Sequence, residues 1–259
     1  MNILLSGCTG LMGAEVVRYV SAVNGEDRII AGVGRRETSG DFPFPTVRSF
    51  AEAEIRCDFL TDAKKADVII DFSSREVTSQ LLRFAVSRSL PTVICTTGQT
   101  ESDLALIRTA AKRIPVFLSA NMSTGIALLA ETVKNIARAM PECEVEIIEY
   151  HRAEKADAPS GTALMLADAV KSVRHGSFVS TGRHGKRRSG EITVHSVRLG
   201  GAAGKHEVIF GSYNQTVTVT HEAHGRAMYA DGAVRAARFL IGKQSGLYSM
   251  NDFLGDKQK

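Results

Sequence analysis

Asn2-Ile3-Leu4-Leu5-Ser6-Gly7-Cys8-Thr9-Gly10-Leu11-Met12-Gly13, continued by Ala14-Glu15-Val16-Val17-Arg18-Tyr19-Val20, runs from an apolar strand through a glycine turn into a helical pattern. Strand, turn and helix in that order open a βαβ unit of the dinucleotide-binding type. In such a unit Gly7 permits the tight turn, Gly10 lets a pyrophosphate reach the backbone, and Gly13 lets helix and strand pack closely. The spacing G-x-x-G-x-x-G is a variant of the commoner pattern, and a glycine-rich turn can be no more than a turn. Its position directly behind a strand gives it weight. Gly7, Cys8, Thr9, Gly10, Leu11, Met12 and Gly13 are therefore expected at a dinucleotide cofactor.

The end of the next strand bears on which dinucleotide. Residues 28–33 read as that strand, and Gly34-Arg35-Arg36 follows. An NAD-selective site places Asp or Glu here to hold the ribose 2′-hydroxyl. This chain has arginines, whose planar forks suit a 2′-phosphate. The expectation is NADPH at Arg35 and Arg36, with NADH as the alternative donor; the competing reading leaves both arginines in a mobile surface loop. Residues 66–73, 91–95 and 116–119 read as further strands ending in polar residues, with helical patterns near 76–87 and 101–112. Such alternation implies a parallel sheet with ligands outside the carboxyl ends of its strands. The loops Asp71-Phe72-Ser73, Thr96-Thr97-Gly98 and Ala120-Asn121-Met122-Ser123 lie where a nicotinamide and its ribose would sit.

A second constellation is Glu149-Tyr150-His151-Arg152-Ala153-Glu154-Lys155-Ala156-Asp157-Ala158-Pro159-Ser160-Gly161-Thr162-Ala163. It follows an apolar strand, residues 145–148, and ends where a helical pattern begins. Ser160 fits the N-cap, which puts Gly161 and Thr162 in a first turn whose N–H groups lack helical partners. Such a turn grips carboxylate or phosphate. Lys155 and Arg152 add positive charge, and His151 can give or take a proton near neutral pH. The bland alternative is a capped helix beside solvated charges.

The second half changes character. Arg174, His175, Arg183, His184, Lys186, Arg187 and Arg188 form a basic cluster, but without interleaved aromatics it reads as a solvated, mobile loop and no nucleic-acid patch. Residues 191–199, 206–210 and 216–220 read as consecutive strands, hence an antiparallel sheet. His221-Glu222-Ala223-His224 is not H-E-x-x-H and follows a strand, so no metal is expected there. Residues 233–240 return to helix. The 259 residues, 44% hydrophobic with a net charge of +4, suit a globular protein for anionic small molecules. No apolar run is long enough for a membrane span, and residues 1–6 lack a signal peptide's basic region, so a cytoplasmic location is expected. Cys8, Cys57, Cys95 and Cys143 are scattered and read as reduced, mostly buried thiols.

The segment around His151 resembles the signature of the bacterial dihydrodipicolinate (4-hydroxy-tetrahydrodipicolinate) reductases, which runs from a glutamate through two histidines and a lysine into Asp-Ala-Pro-Ser-Gly-Thr-Ala. Gly10-Leu11-Met12-Gly13 resembles that family's Gly-Arg-Met-Gly, the three polar loops resemble its cofactor-facing loops, and Arg198 through His206 resembles its arginine-x-glycine, later glycine-x-histidine pattern. The resemblance covers nearly the whole chain. It implies an α/β fold: a Rossmann-like parallel-sheet domain (1–122 and 227–259) and an α+β substrate and oligomerisation domain with a mostly antiparallel sheet (123–226). It implies His151 as catalytic acid with Lys155 as its partner, without separating which gives the proton. It also implies Arg152, Gly161 and Thr162 as contacts to a cyclic dicarboxylate, a homotetramer, and reduction of 4-hydroxy-tetrahydrodipicolinate toward diaminopimelate and lysine. The departures are Leu11 for arginine, Cys95 for glycine, Met122 for phenylalanine, Arg152 for the second histidine and Lys205 for glutamate. Another NADPH-dependent amino-acid or imine reductase, and a non-catalytic NADPH sensor, are the competing classes.

Overall fold

The glycine turn links the two elements its sequence implies: in the computed structural model, β1 (Asn2–Ser6) is followed by α1 (Leu11–Ala22). The structure describes residues 1–23, 25–35, 42–55, 65–183 and 185–256; Arg36, Cys57 and His184 lie outside the described residues. The chain divides into two compact units, Met1–Ser123 with Arg226–Lys259, and Thr124–Gly225.

The first unit continues through β2 (Arg28–Val33), β3 (Thr46–Val47), α2 (Phe50–Ile55), β4 (Val68–Asp71), α3 (Thr78–Ser87), β5 (Thr92–Ile94), α4 (Glu101–Ala111) and β6 (Pro115–Leu118). Two elements of the second unit's helical layer come next, α5 (Thr124–Ala139) and, beyond the strand β7 (Glu144–His151), α6 (Gly161–Lys171). The strands β8 (Phe178–Thr181), β9 (Glu191–Arg198), β10 (Lys205–Gly211) and β11 (Thr216–Glu222) complete that unit, and α7 (Ala227–Leu240), β12 (Gly246–Tyr248) and α8 (Met250–Asp256) return to the first.

The first unit is built on a sheet of order β12-β6-β5-β4-β1-β2-β3, parallel throughout. Helices cover both faces of such a sheet, so its strands carry continuous apolar runs. Alternate residues serve opposite sides. Leu4, Ile69 and Ile94 join Leu81, Phe84 and Ile107 of α3 and α4 in one core. On the other side α7 packs against β4, β5 and β6, and the Phe117 ring meets Phe239 edge-on at 6.1 Å. α4 opens on a reciprocal cap, Thr100 accepting from the Asp103 N–H while Asp103 accepts from the Thr100 N–H, an arrangement worth about 1 kcal/mol.

The second unit holds a sheet of order β11-β10-β7-β9-β8, with α5 and α6 supplying Ile126, Leu129, Val133, Leu166 and Val170 to its core. The expected antiparallel pairing of consecutive strands holds for β10 and β11 and is corrected for β9. β10 pairs antiparallel with β11 and with β7, whereas β9 pairs parallel with β7 and with β8. The chain leaves β7 through α6 before it reaches β8 and β9. That crossover lets the later strands run in β7's direction, where a tight turn would have reversed them.

The basic cluster is also more ordered than its composition suggests. Arg174 lies beyond the end of α6 and donates to the carbonyls of Ala137, Met140 and Cys143, closing the C-terminal end of α5. Arg183 and Arg187 both pair with Glu146 on β7. No helix among the described residues is long and apolar enough to cross a membrane.

Candidate active site

Strand order reverses at β1, which has β2 on one side and β4 on the other. The loops beyond two such neighbours diverge and leave a crevice. Gly7 occupies this point with φ +80°, and a Cβ there would lie 2.5 Å from the Phe72 carbonyl oxygen. Gly13 is just as constrained: its Cβ would lie 2.2 Å from the Gly7 oxygen. The close approach is thus of the helix to the turn itself, where the sequence reading had placed it between helix and strand.

A cavity of about 540 Å³ opens over this turn, lined by Gly7, Thr9, Gly10 and Leu11 from one side and by Arg35, Arg48, Ser73 and Ser74 from the other. A second, of about 290 Å³, is lined by Met12, Thr96, Thr97, Ala120, Met122, Cys95 and Tyr229, and shares Phe72 and Ser73 with the first. Cys8, Gly13, Gly98 and Asn121 line neither. Cys8 is wholly buried, which pushes its thiol up to about 11, and the Asn121 side chain accepts from the Ser123 N–H at 2.9 Å, shaping its own loop. Arg35 reaches Ser74 Oγ at 3.1 Å.

Arg48 and Tyr229 escaped the sequence reading, and Asp71, read there only as part of a polar loop, proves to brace two loops. Asp71, buried at the end of β4, accepts from Ser73 Oγ at 2.5 Å and from Thr96 Oγ1 at 2.6 Å, bracing two loops together; burial pushes its carboxyl above the ordinary range. Arg48 follows β3, whose Val47 pairs with Val33 of β2, so Arg48 and Arg35 stand just past the ends of neighbouring strands. Strand β3 spans only two residues, too short for a periodic signal. Tyr229 arrives from α7 and is distant in sequence. Glycines at the turn, hydroxyls at the strand ends and cations past β2 and β3 fit a dinucleotide.

In the second unit, β7 runs on to His151, so the histidine is the last residue of a strand. His151 Nδ1 contacts Glu149 Oε2. Glu149 is fully buried; its other oxygen accepts from Arg198 Nη2 at 2.7 Å and from the Ser160 N–H at 3.2 Å. Burial works to raise the Glu149 pKa, but hydrogen bonds from Arg198, Ser196 and His151 outweigh it and hold the carboxyl at about 2. His151 is held below its ordinary value, because burial penalises the imidazolium more than the Glu149 carboxylate favours it. His206 on β10 meets the His151 ring edge-on at 5.2 Å, and burial with the neighbouring His151 charge pushes it down to about 4.

Ser160 is the N-cap of α6, its hydroxyl accepting from the Ala163 N–H at 3.2 Å. Gly161 is exposed, and a Cβ there would meet nothing within 4 Å, so the turn is open to a ligand. Thr162 follows, half-buried. Lys155 is tied to Asp157 at 2.6 and 2.8 Å, and Arg152 reaches out to Glu154 at 3.9 Å. Glu149, His151 and His206 offer ligand atoms within 4.8 Å of one another, a spacing a metal ion could use. The Arg198 guanidinium already neutralises the one carboxylate of that set.

Comparison with known proteins decides the family. Residues 1–122 match the model described as dihydrodipicolinate reductase, N-terminus, and residues 125–254 match dihydrodipicolinate reductase, C-terminus. The chain belongs to the dihydrodipicolinate reductase family. Similar members include the 4-hydroxy-tetrahydrodipicolinate reductases of Caldanaerobacter subterraneus subsp. tengcongensis, 39% identical over 98% of both chains, and Clostridium novyi, 36% identical over 99% of both. Among solved structures, the dipicolinate-bound dihydrodipicolinate reductase of Paenisporosarcina sp. TG-14 shares the fold, with a TM-score of 0.80 at 24% identity over 97% of this chain and 98% of that one. The DAP dehydrogenase of C. glutamicum is more distant, with a TM-score of 0.59 at 12% identity over 96% of this chain and 92% of that one. Leu11, where the resemblance implies an arginine, has an apolar side chain that is 74% exposed and cannot pair with a phosphate. Lys205, where the resemblance implies a glutamate, is met locally by Glu207 at 2.6 Å and by the Tyr150 ring.

Proposed function

We propose that the chain reduces 4-hydroxy-tetrahydrodipicolinate to tetrahydrodipicolinate with NAD(P)H, a step toward diaminopimelate and lysine. The observation that carries this reading is full-length membership of the reductase family together with a proton-active His151 close to the open N-terminus of α6. The net reaction consumes substrate, NADPH and a proton, and yields product, NADP⁺ and water. When bound, the dinucleotide supplies the hydride. The chain's own residues supply the rest. The Gly161–Thr162 turn, Lys155 and Arg152 hold the two carboxylates, and Lys155 must exchange Asp157 for substrate. His151, as imidazolium, gives the proton that balances the hydride or assists departure of the 4-hydroxyl, with Lys155 as the alternative donor. Gly7, Thr9, Gly10 and Leu11 form the cofactor's phosphate side, and Met12, Phe72, Ser73, Thr96, Thr97, Ala120 and Met122 its nicotinamide side, while Cys8, Gly13, Gly98 and Asn121 act by shaping the turns behind them. The Paenisporosarcina relative holds dipicolinate, itself a cyclic dicarboxylate. Decay of the nicotinamide absorbance when NADPH meets freshly made substrate tests the assignment; no decay, with turnover on a different imine or amino acid, replaces it. A homotetramer, suggested by the family resemblance, is checked by light scattering. A cytoplasmic location accords with the buried, unpaired Cys8, Cys95 and Cys143.

NADPH is the preferred donor in this reading, supported by Arg35 and Arg48 on the larger cavity and by Arg36 next in sequence. Changing Arg35 and Arg36 together to Ala lowers kcat/KM for NADPH and leaves that for NADH nearly unchanged. Equal values for the two nucleotides, unaltered in the double variant, would refute the preference.

The pH dependence has a definite sign. A general acid must be protonated, so kcat/KM falls as pH rises through the pKa of free-enzyme His151, which lies below the ordinary 6.5. A bound dicarboxylate favours the imidazolium, so the corresponding limb of kcat lies at higher pH. Coincident limbs in the two profiles count against His151 as the acid.

A further inference from the structure

Four donors, from His151, Arg198, Ser196 and the Ser160 N–H, converge on Glu149, a residue given no part in the reaction as set out above. We propose that Glu149 is a positioning residue: its buried carboxylate fixes the His151 ring with a proton on Nδ1, so that the proton given to substrate leaves from Nε2. This rests on the reading of His151 as proton donor.

A carboxylate only accepts hydrogen bonds. Glu149 stays ionised far below neutral pH, so the hydrogen in its contact with His151 belongs to Nδ1. The carboxylate is itself held, because Oε1 takes Arg198 Nη2 at 2.7 Å and the Ser160 N–H at 3.2 Å. Turning it away would leave a largely buried guanidinium uncompensated. Arg198 Nη2 also donates to the Asp157 carbonyl at 2.5 Å, so one side chain ties β9, β7 and the loop between His151 and α6 together. On the other side of the ring Nε2 faces Gly204, where an added Cβ would lie 3.3 Å from it. A side chain at Gly204 would crowd that nitrogen, and glycine spares it.

The charged and titratable groups facing His151 are Glu149 on its own strand, Lys155 on the following loop, Arg198 on β9 and His206 on β10. Lys155 and Arg198 disfavour the imidazolium, and Glu149 favours it. His206 is neutral near pH 7 and adds no charge. Glu149 therefore sets both the tautomer and the proton affinity of the acid.

The test uses the whole enzyme and two readouts. In the wild type, ¹⁵N NMR of the neutral His151 ring shows the proton on Nδ1; a proton on Nε2 overturns the proposal without any variant. Glu149→Gln keeps the shape and removes the charge. It moves the descending limb of kcat/KM down by about one pH unit, which is about tenfold in kcat/KM above that limb, and the His151 titration moves with it. If kcat/KM instead falls equally at every pH while His151 titrates as in the wild type, Glu149 only braces the start of α6 and the proposal fails. Wild-type kcat in His151→Gln removes the donor itself; that outcome is distinct, because the titration of His151 in Glu149→Gln is read independently of turnover.

Discussion

Replacing His151 by Gln lowers kcat by roughly 10²–10⁴-fold and leaves KM little changed, the range expected when a positioned general acid is lost. In free-energy terms this is about 2.7–5.4 kcal/mol of transition-state stabilisation. The glutamine amide can still fill the space and hydrogen bond to Glu149, so the fold and the α6 cap stay in place. What it lacks is a proton it can give up near neutral pH. Steady-state kinetics with saturating NADPH measure the effect, and Lys155→Ala serves as the companion. A deep loss of kcat in Lys155→Ala with a mild one in His151→Gln would move the acid role to Lys155. Wild-type-like kcat in His151→Gln would take the ring out of the chemistry.

Gly232→Ala is expected to destabilise the first unit by about 3 kcal/mol or more, the upper range for overpacking a rigid contact. The glycine sits in α7, where a Cβ would come 1.7 Å from the Met122 carbonyl oxygen. The obstacle is backbone, which cannot swing aside as a flexible side chain would. Either the helix shifts from β4, β5 and β6 or the Met122 loop moves. For a chain of this size the loss corresponds to a Tm lower by roughly 6–12 °C. Met122 lines the smaller cavity, so the variant should also bind dinucleotide more weakly. Calorimetry and nucleotide titration check the two effects; an unchanged Tm would show that α7 can yield here at little cost.

Most of the first unit was legible because its signals are local. The apolar run before Gly7, the glycine spacing and the strand–helix alternation each lie within a short stretch of chain. Ser160 was legible as an N-cap for the same reason, and the structure shows its hydroxyl at the Ala163 N–H. Other features went unread. The longest helix, α5, carries Ile126, Leu129, Val133 and Ala137 at helical spacing, a signal present in the sequence that the reading passed over. Strands β8 and β12 span four and three residues, too few to show a period. The basic cluster looked solvated because its partners, Glu146 and the carbonyls ending α5, are at least thirty residues away.

The sequence by itself determined the chemistry on offer: a glycine turn for phosphates, cations past β2, a histidine and a lysine ahead of a capped helix, and the family these spell out. Tertiary structure alone decided which groups act on which. It buried Glu149 and turned it onto His151, set Asp71 between two loops, brought Arg48 level with Arg35, and ran β9 parallel to β7. The physical reason is range. Turns, caps and periodicity depend on neighbours a few residues away. Proton affinity, ion pairing and strand direction depend on partners that meet only after the chain has folded.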